Sequence, residues 1–252
     1  MRRGFVDRPR KAAGGSGQGL GLLHCFPLLE NGAAPAIDVV DGVRGTVVVG
    51  STAPSSVLHR HGRARYFSSL GQSNIDIVSP FAFAALTAKK ISLTCWSSIP
   101  VAGGASDGFI FGLSNTGTVN LLCHIGLSGT NAFRSILRAS DGTGQSSSAT
   151  SGGFNDGTEH FLALVVTPSK SQFYVDGRLI GTLSTPAAAM TANVLTIGAL
   201  HRTTIGSYME GSVRDARIYN TILTAQQINR MFASPHGVYG SAFNHRPRSN
   251  LY

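Results

Sequence analysis

Acidic side chains are scarce in this chain. Twelve aspartates and glutamates stand against 21 lysines and arginines in 252 residues, and the only glutamates are Glu30, Glu159 and Glu210. These three lie far apart, and no two acids form a closely spaced pair on a strand-like run. The chain therefore lacks the two facing carboxylates that glycoside hydrolysis needs. No G-x-S-x-G elbow is present either, so no residue is assigned a catalytic role. Three cysteines, Cys25, Cys95 and Cys123, occur without CxxC spacing. Each is set in an apolar run, where a free cysteine behaves as a small hydrophobe, and the compartment reads as reducing. No apolar run approaches the roughly 20 residues of a membrane-spanning helix. The stretch GQGLGLLHCFPL (17–28) is too short, is broken by His24 and Pro27, and lacks a small-residue cleavage site. We read no signal peptide in it.

What replaces charge is glycine, serine and threonine: charged residues are 13% of the chain and glycines number 31. From about residue 20 onward the chain reads as short apolar runs separated by turn clusters. Among the runs are ISLTCW (91–96), GFIFGL (108–113), FLALVVT (161–167) and SVRDARIY (212–219). Strands at this spacing predict a two-sheet β-sandwich or barrel. Within FYVDGRLIGTL (173–183), Asp176-Gly177 between two strand-like runs predicts a tight hairpin, whose central residues need φ > 0. Thr224 and Gln227 form a capping-box pattern, followed by an apolar stripe of Ala225, Ile228, Met231 and Phe232. That pattern predicts one short C-terminal helix docked on the sandwich.

The formal charge of +9 is unevenly laid out. It resides in Arg2, Arg3, Arg8, Arg10 and Lys11 against Asp7 near the start, in Arg60, Arg63 and Arg65, and in Arg246 and Arg248 near the end, leaving the remainder neutral. Residues 1–19 read as a basic, glycine-rich arm, and such a segment orders only when a neighbour holds it. His59-Arg60-His61 has H-x-H spacing, but three nearby arginines would repel a cation, so a surface basic patch is expected and no metal site.

Several runs resemble the laminin-G-like jelly rolls of the concanavalin A-like lectin/glucanase superfamily. GLLHCFPLLENG resembles the family's first strand through Phe26, Pro27, Leu28, Glu30 and Gly32. ISLTCWSSIP matches a later strand centred on Trp96. FLALVVTPSKSQFYVDG fits through His160, Ala163, Tyr174, Asp176 and Gly177, with Glu159 where the family has tryptophan. EGSVRDARIYNTILTAQQI matches the closing strand and helix through Arg217, Ile218, Tyr219 and Asn220. The resemblance implies an all-β, antiparallel two-sheet jelly roll over residues 20–234, between the arm (1–19) and a tail (235–252). It implies binding without catalysis. It leaves calcium open as the one cofactor, through the loop aspartates Asp107, Asp141 and Asp156, which in glycine loops also read as turn residues.

Three function classes compete: a virion structural protein, a surface carbohydrate-binding module, and a nucleic-acid-associated protein. The last needs a contiguous basic face with interleaved aromatics, and the neutral core does not supply one. Stand-alone proteins of this resemblance, ending in a short tail like HRPRSNLY, are similar to tailed-phage structural proteins. The expectation is therefore a capsid decoration protein, with a tail or neck appendage as the alternative. In it Arg2, Arg3, Arg8, Arg10, Lys11, Arg246, Arg248 and Tyr252 clamp acidic virion neighbours. The protein would be homo-oligomeric, assembled in the host cytoplasm, with a glycan as a further ligand and no membrane contact.

Overall fold

The computed structural model describes residues 21–101, 108–128, 132–144, 146–150, 153–154 and 156–235. The expected arm, the tail after Pro235, and Asp107 lie outside the described residues, and with them Arg2, Arg3, Arg8, Arg10, Lys11, Arg246, Arg248 and Tyr252.

The chain opens with β1 (Leu22–Phe26), β2 (Ala36–Ile37), β3 (Arg44–Val48), β4 (Ser55–His59), β5 (Gly62–Phe67) and β6 (Asn74–Ile77). Helix α1 (Pro80–Thr87) leads into β7 (Ile91–Ser98), β8 (Phe109–Ser114), β9 (Leu121–Leu127) and β10 (Phe133–Leu137). Next come β11 (Ser146–Ala149), β12 (Glu159–Val166), β13 (Lys170–Val175) and β14 (Arg178–Ser184). The last elements are β15 (Val194–Ile197), β16 (Leu200–His201), β17 (Ile205–Gly206), β18 (Gly211–Tyr219) and α2 (Ala225–Ala233).

Two antiparallel sheets face each other as a jelly roll. The first runs β14-β13-β12-β7-β18-β5-β4, with β1 also paired to β18, and the second runs β11-β10-β9-β8-β15-β6-β3-β2. Alternation sets the core. Leu93 and Cys95 of β7, Leu162 and Leu164 of β12, and Val213 and Ile218 of β18 point inward to meet Phe111, Leu113, Ile125 and Phe133 of the second sheet. Full burial of each such side chain is worth about 1.5–3 kcal/mol. The opposite face of β7, β12 and β18 is also dry, because Trp96, Phe161, Val165, Tyr174 and Tyr219 lie beneath Leu223, Ile228, Met231 and Phe232 of α2 and its approach. These central strands are thus buried on both faces, and β12, apolar from Phe161 to Val166, reads as a continuous run.

The capping box forms as expected: Gln227 N donates to Thr224 Oγ1 at 3.2 Å and Thr224 N donates back to Gln227 Oε1 at 2.7 Å. The hairpin also forms, with φ of 50° at Asp176 and 77° at Gly177. All three cysteines are free and buried.

Two features depart from expectation. The structure holds a second helix, α1, with Ser79 as N-cap accepting from Ala82 N at 3.2 Å and Pro80 as the first helical residue. The sequence SPFAFAALT carries that Ser-Pro start signal, but apolar residues on every side leave no amphipathic stripe to read. Residues 139–157, whose serine, threonine and glycine content reads as one long loop, contain the edge strand β11, paired to β10 from Arg134↔Ala149 to Leu137↔Ser146.

Glycine is required at position 112, where a Cβ would lie 2.2 Å from His124 Nδ1 and 2.4 Å from Cys123 O. Gly112→Ala is expected to destabilise the protein by about 2 kcal/mol through overpacking. Gly206→Ala, with nothing within 4 Å of the new methyl, leaves the urea midpoint nearly unchanged. Thr224→Ala costs about 1 kcal/mol from the lost cap.

Candidate functional site

Antiparallel pairing of β12 with β13 places Leu162 opposite Val175, so the residues just before and after meet at one end of the sandwich. There His160 Nδ1 lies 2.7 Å from Asp176 Oδ2, while Asp176 Oδ1 accepts from Phe161 N at 2.9 Å. The hairpin corner is therefore also a carboxylate tie. On the other side of the ring, Nε2 lies 3.0 Å from Thr158 Oγ1 and 3.4 Å from Asp156 Oδ1. Phe154 and Phe133 meet the ring edge-on, with centroids 4.8 and 5.6 Å away. Burial pushes the His160 pKa down, but the hydrogen bond and charge of Asp176, joined by Asp156, outweigh it and hold the imidazolium form. This rim combines two partly exposed carboxylates, a hydroxyl and an aromatic edge, a set suited to hydroxyl-rich ligands.

A second cluster has the outline of a catalytic relay. His24 Nε2 is 2.5 Å from Ser79 Oγ, and its Nδ1 is 2.7 Å from Asp38 Oδ2. All three residues are only 1% exposed. Ser79 also caps α1, so the serine is a structural brace that no substrate reaches. Asp41 flanks the pair, with Oδ1 3.6 Å from His24 Nδ1. Burial raises the Asp38 pKa, but hydrogen bonds from His24, Asp41, Cys25 N and Val40 N leave it below the usual carboxylate value. Burial and the neighbouring Asp38 carboxylate raise that of Asp41.

On the outer face of the first sheet, Glu159 answers for the missing tryptophan: its Oε1 accepts from Arg214 Nε at 2.6 Å. The Arg214 guanidinium stacks over Trp96 at 4.7 Å, and His61 approaches the same indole at 5.6 Å. His59 instead reaches Ser212 Oγ at 2.7 Å, so the two histidines serve different partners across the β4–β5 turn.

The expected basic patch needs correction. Arg60 and Arg63 are exposed, whereas Arg65 is fully buried. Arg65 points inward beside Phe67, and its Nη2 donates to Gly32 O at 3.1 Å and Ala34 O at 2.6 Å. Arg63 and Arg65 share one face of β5, and the Gly32–Ala34 segment takes up Arg65, which charge composition cannot report.

A laminin-G-type family model described as "Concanavalin A-like lectin/glucanases superfamily" matches residues 71–229. The chain belongs to that superfamily. No curated protein matches it. Solved structures with the same fold include the binding domain of botulinum neurotoxin DC in complex with SialylT, at TM-score 0.62 and 13% identity. The same domain in complex with rat synaptotagmin II gives 0.63 and 14%, and the binding domain of Paraclostridial Mosquitocidal Protein 1 gives 0.65 and 12%. In each case 85% of this chain is covered, and the chain spans only about half of the solved one, 51–52%. Identities this low show the fold alone.

Within this superfamily fold, the described loop aspartates do not converge on a calcium shell. Asp141 accepts from Thr143 N and Oγ1 at 2.9 and 2.7 Å, and Asp156 accepts from Thr158 N and Oγ1 at 2.8 Å each. Each closes its own turn, whereas calcium takes six to eight oxygens around one point.

The His160 cluster predicts a pH dependence. A histidine whose folded pKa is raised contributes stability that is complete below its unfolded pKa, about 6.5, and is lost as pH rises through the folded value. Asp176→Asn, which tolerates φ > 0, should cost about 1 kcal/mol at pH 6 and clearly less at pH 8.5. Urea denaturation at the two pH values measures the difference.

Proposed function

We propose that the protein is a non-enzymatic recognition domain of a virus particle, held there by its basic arm and tail, with the jelly-roll rim turned toward a glycan or protein receptor. The observation that carries the non-catalytic part is the employment of the acids. Each aspartate and glutamate among the described residues is engaged by a structural partner. Glu159 holds Arg214, Asp215 holds Arg217, Asp76 holds His201, and Glu210 takes Ser69 N and Tyr66. Glu30 accepts from Ile37 N. The two that share a rim, Asp156 and Asp176, are both held by His160 and by groups of their own turns, so they are not a free acid pair of the kind hydrolysis needs.

The recognition part is supported by a fold shared with toxin binding domains, whose names record a SialylT complex and a synaptotagmin complex. The particle part is supported by the charge layout: cationic ends on a domain whose net charge is only +3 suit docking on acidic neighbours, where complementary charge sets partner choice and encounter rate. Within that reading, decoration of a capsid lattice leads, and a tail or neck appendage is the second position.

Co-sedimentation with particles stripped of the protein tests the anchoring. Full-length protein should bind saturably, and a form lacking residues 1–19 should lose at least tenfold in affinity. A protein that binds no particle in either form, yet scores on a glycan array, is a free lectin and overturns the virion reading. On the same array, Asp156→Ala combined with Thr158→Ala should reduce the signal at least fivefold if the His160 rim is the contact.

A further inference from the structure

We propose that His24, Asp38 and Asp41 form a binding site for a first-row divalent metal ion of the zinc or manganese type. This inference does not depend on what the jelly roll recognises. One ligand atom from each residue comes together, His24 Nδ1 and a carboxylate oxygen of Asp38 and of Asp41, all within 4.8 Å of one another. His24 Nδ1 is 2.7 Å from Asp38 Oδ2 and 3.6 Å from Asp41 Oδ1. An ion about 2.1 Å from each ligand needs ligand separations of about 3.0 to 3.4 Å, so the two separations from His24 need shifts of only a few tenths of an ångström.

Charge is the second, independent argument. The Asp38 side chain is fully buried, and the Asp41 carboxylate lies against it. Their cationic neighbour among the described residues is His24 alone. Two carboxylates share that one imidazole, so a divalent ion matches the charge of the cluster better than the ring alone does. A divalent ion with neutral His24 brings the sum to zero, and any proton on Nδ1 leaves to solvent.

The surroundings hold the donors in place as outer partners do around metal ligands. Ser79 fixes Nε2, which leaves Nδ1 directed at the carboxylates, and Asp38 Oδ1 is engaged by Cys25 N at 2.8 Å and Val40 N at 3.0 Å. Asp41 is 39% exposed at its side chain, which gives an ion an entry path and leaves coordination positions for water. One imidazole with two carboxylates suits zinc or manganese better than calcium, which takes oxygen ligands. An ion here would pin β1 to the turn between β2 and β3 and, through Ser79, to α1.

The test uses the full chain, freed of metal and titrated with zinc or manganese, with calcium and magnesium for comparison. Thermal shift and metal content by elemental analysis are the readouts. The expected result is one more bound zinc in wild type than in Asp41→Asn, with at least tenfold weaker zinc binding in the variant and equal melting temperatures for the two metal-free proteins. The Asp41 side chain is partly exposed, and asparagine can still accept from Val43 N, so the variant folds. Zinc content and shift unchanged by Asp41→Asn place the metal on other histidines and overturn the proposal. Cobalt(II) added to wild type should show visible bands of nitrogen and oxygen ligation, and their absence overturns it as well.

Discussion

The kink in β18 governs the rest of the structure. All nine residues of this strand are buried, and it pairs with β7 along one side. Along the other side it pairs first with β5, through Gly211 to Val213, and then with β1, through Ala216 to Tyr219. One strand can serve two successive partners because its register shifts between Arg214 and Arg217, where Asp215 adopts φ of 54°. The buried ion pair of Asp215 with Arg217 occupies that kink, its Nε to Oδ1 distance being 2.7 Å. Asp215 N also reaches Pro27 O at 3.3 Å, just past the end of β1. Removing one partner from a buried pair of this kind typically costs 3–5 kcal/mol, because the other charge stays unpaired in a dry site.

That same economy of charge shapes the functional surface. The first sheet keeps its outer face dry under α2, with Glu159 there paired to Arg214, while Glu210 before β18 is held by hydrogen bonds from Tyr66 and Ser69. What remains chemically open lies at the rims: His160 between its two aspartates, and Asp41 beside the buried His24–Asp38 pair. A jelly roll built this way keeps a rigid scaffold and leaves recognition to its loop ends, the usual division between scaffold and binding loops.

The expectations that held are those carried by short-range chemistry. The Asp176-Gly177 turn, the Thr224–Gln227 capping box and the strand-like runs of β7, β12 and β18 each depend on neighbours within a few residues, and each forms. Helix α1 escaped because its signal was only Ser79-Pro80, in a run too uniformly apolar to show a stripe. His160 beside Asp176 was within reach, since fixing that hairpin fixes the register that joins them. The pairing of His24 with Asp38 and Ser79 was not, because the partners lie 14 and 55 positions away.

The sequence by itself determined the fold class, the family and the concentration of positive charge in the termini. Strand alternation, turn geometry and local charge are all written in contiguous residues. Only the tertiary structure decided which charges are used up. Arg65 and Arg63 are two residues apart on one strand, yet one is buried under two backbone carbonyls and the other is exposed. The scattered aspartates became ties, turn closers or partners of a buried histidine according to what the second sheet, the hairpin registers and α1 brought against them. Burial and partner choice are set by contacts between distant segments, and composition cannot encode them.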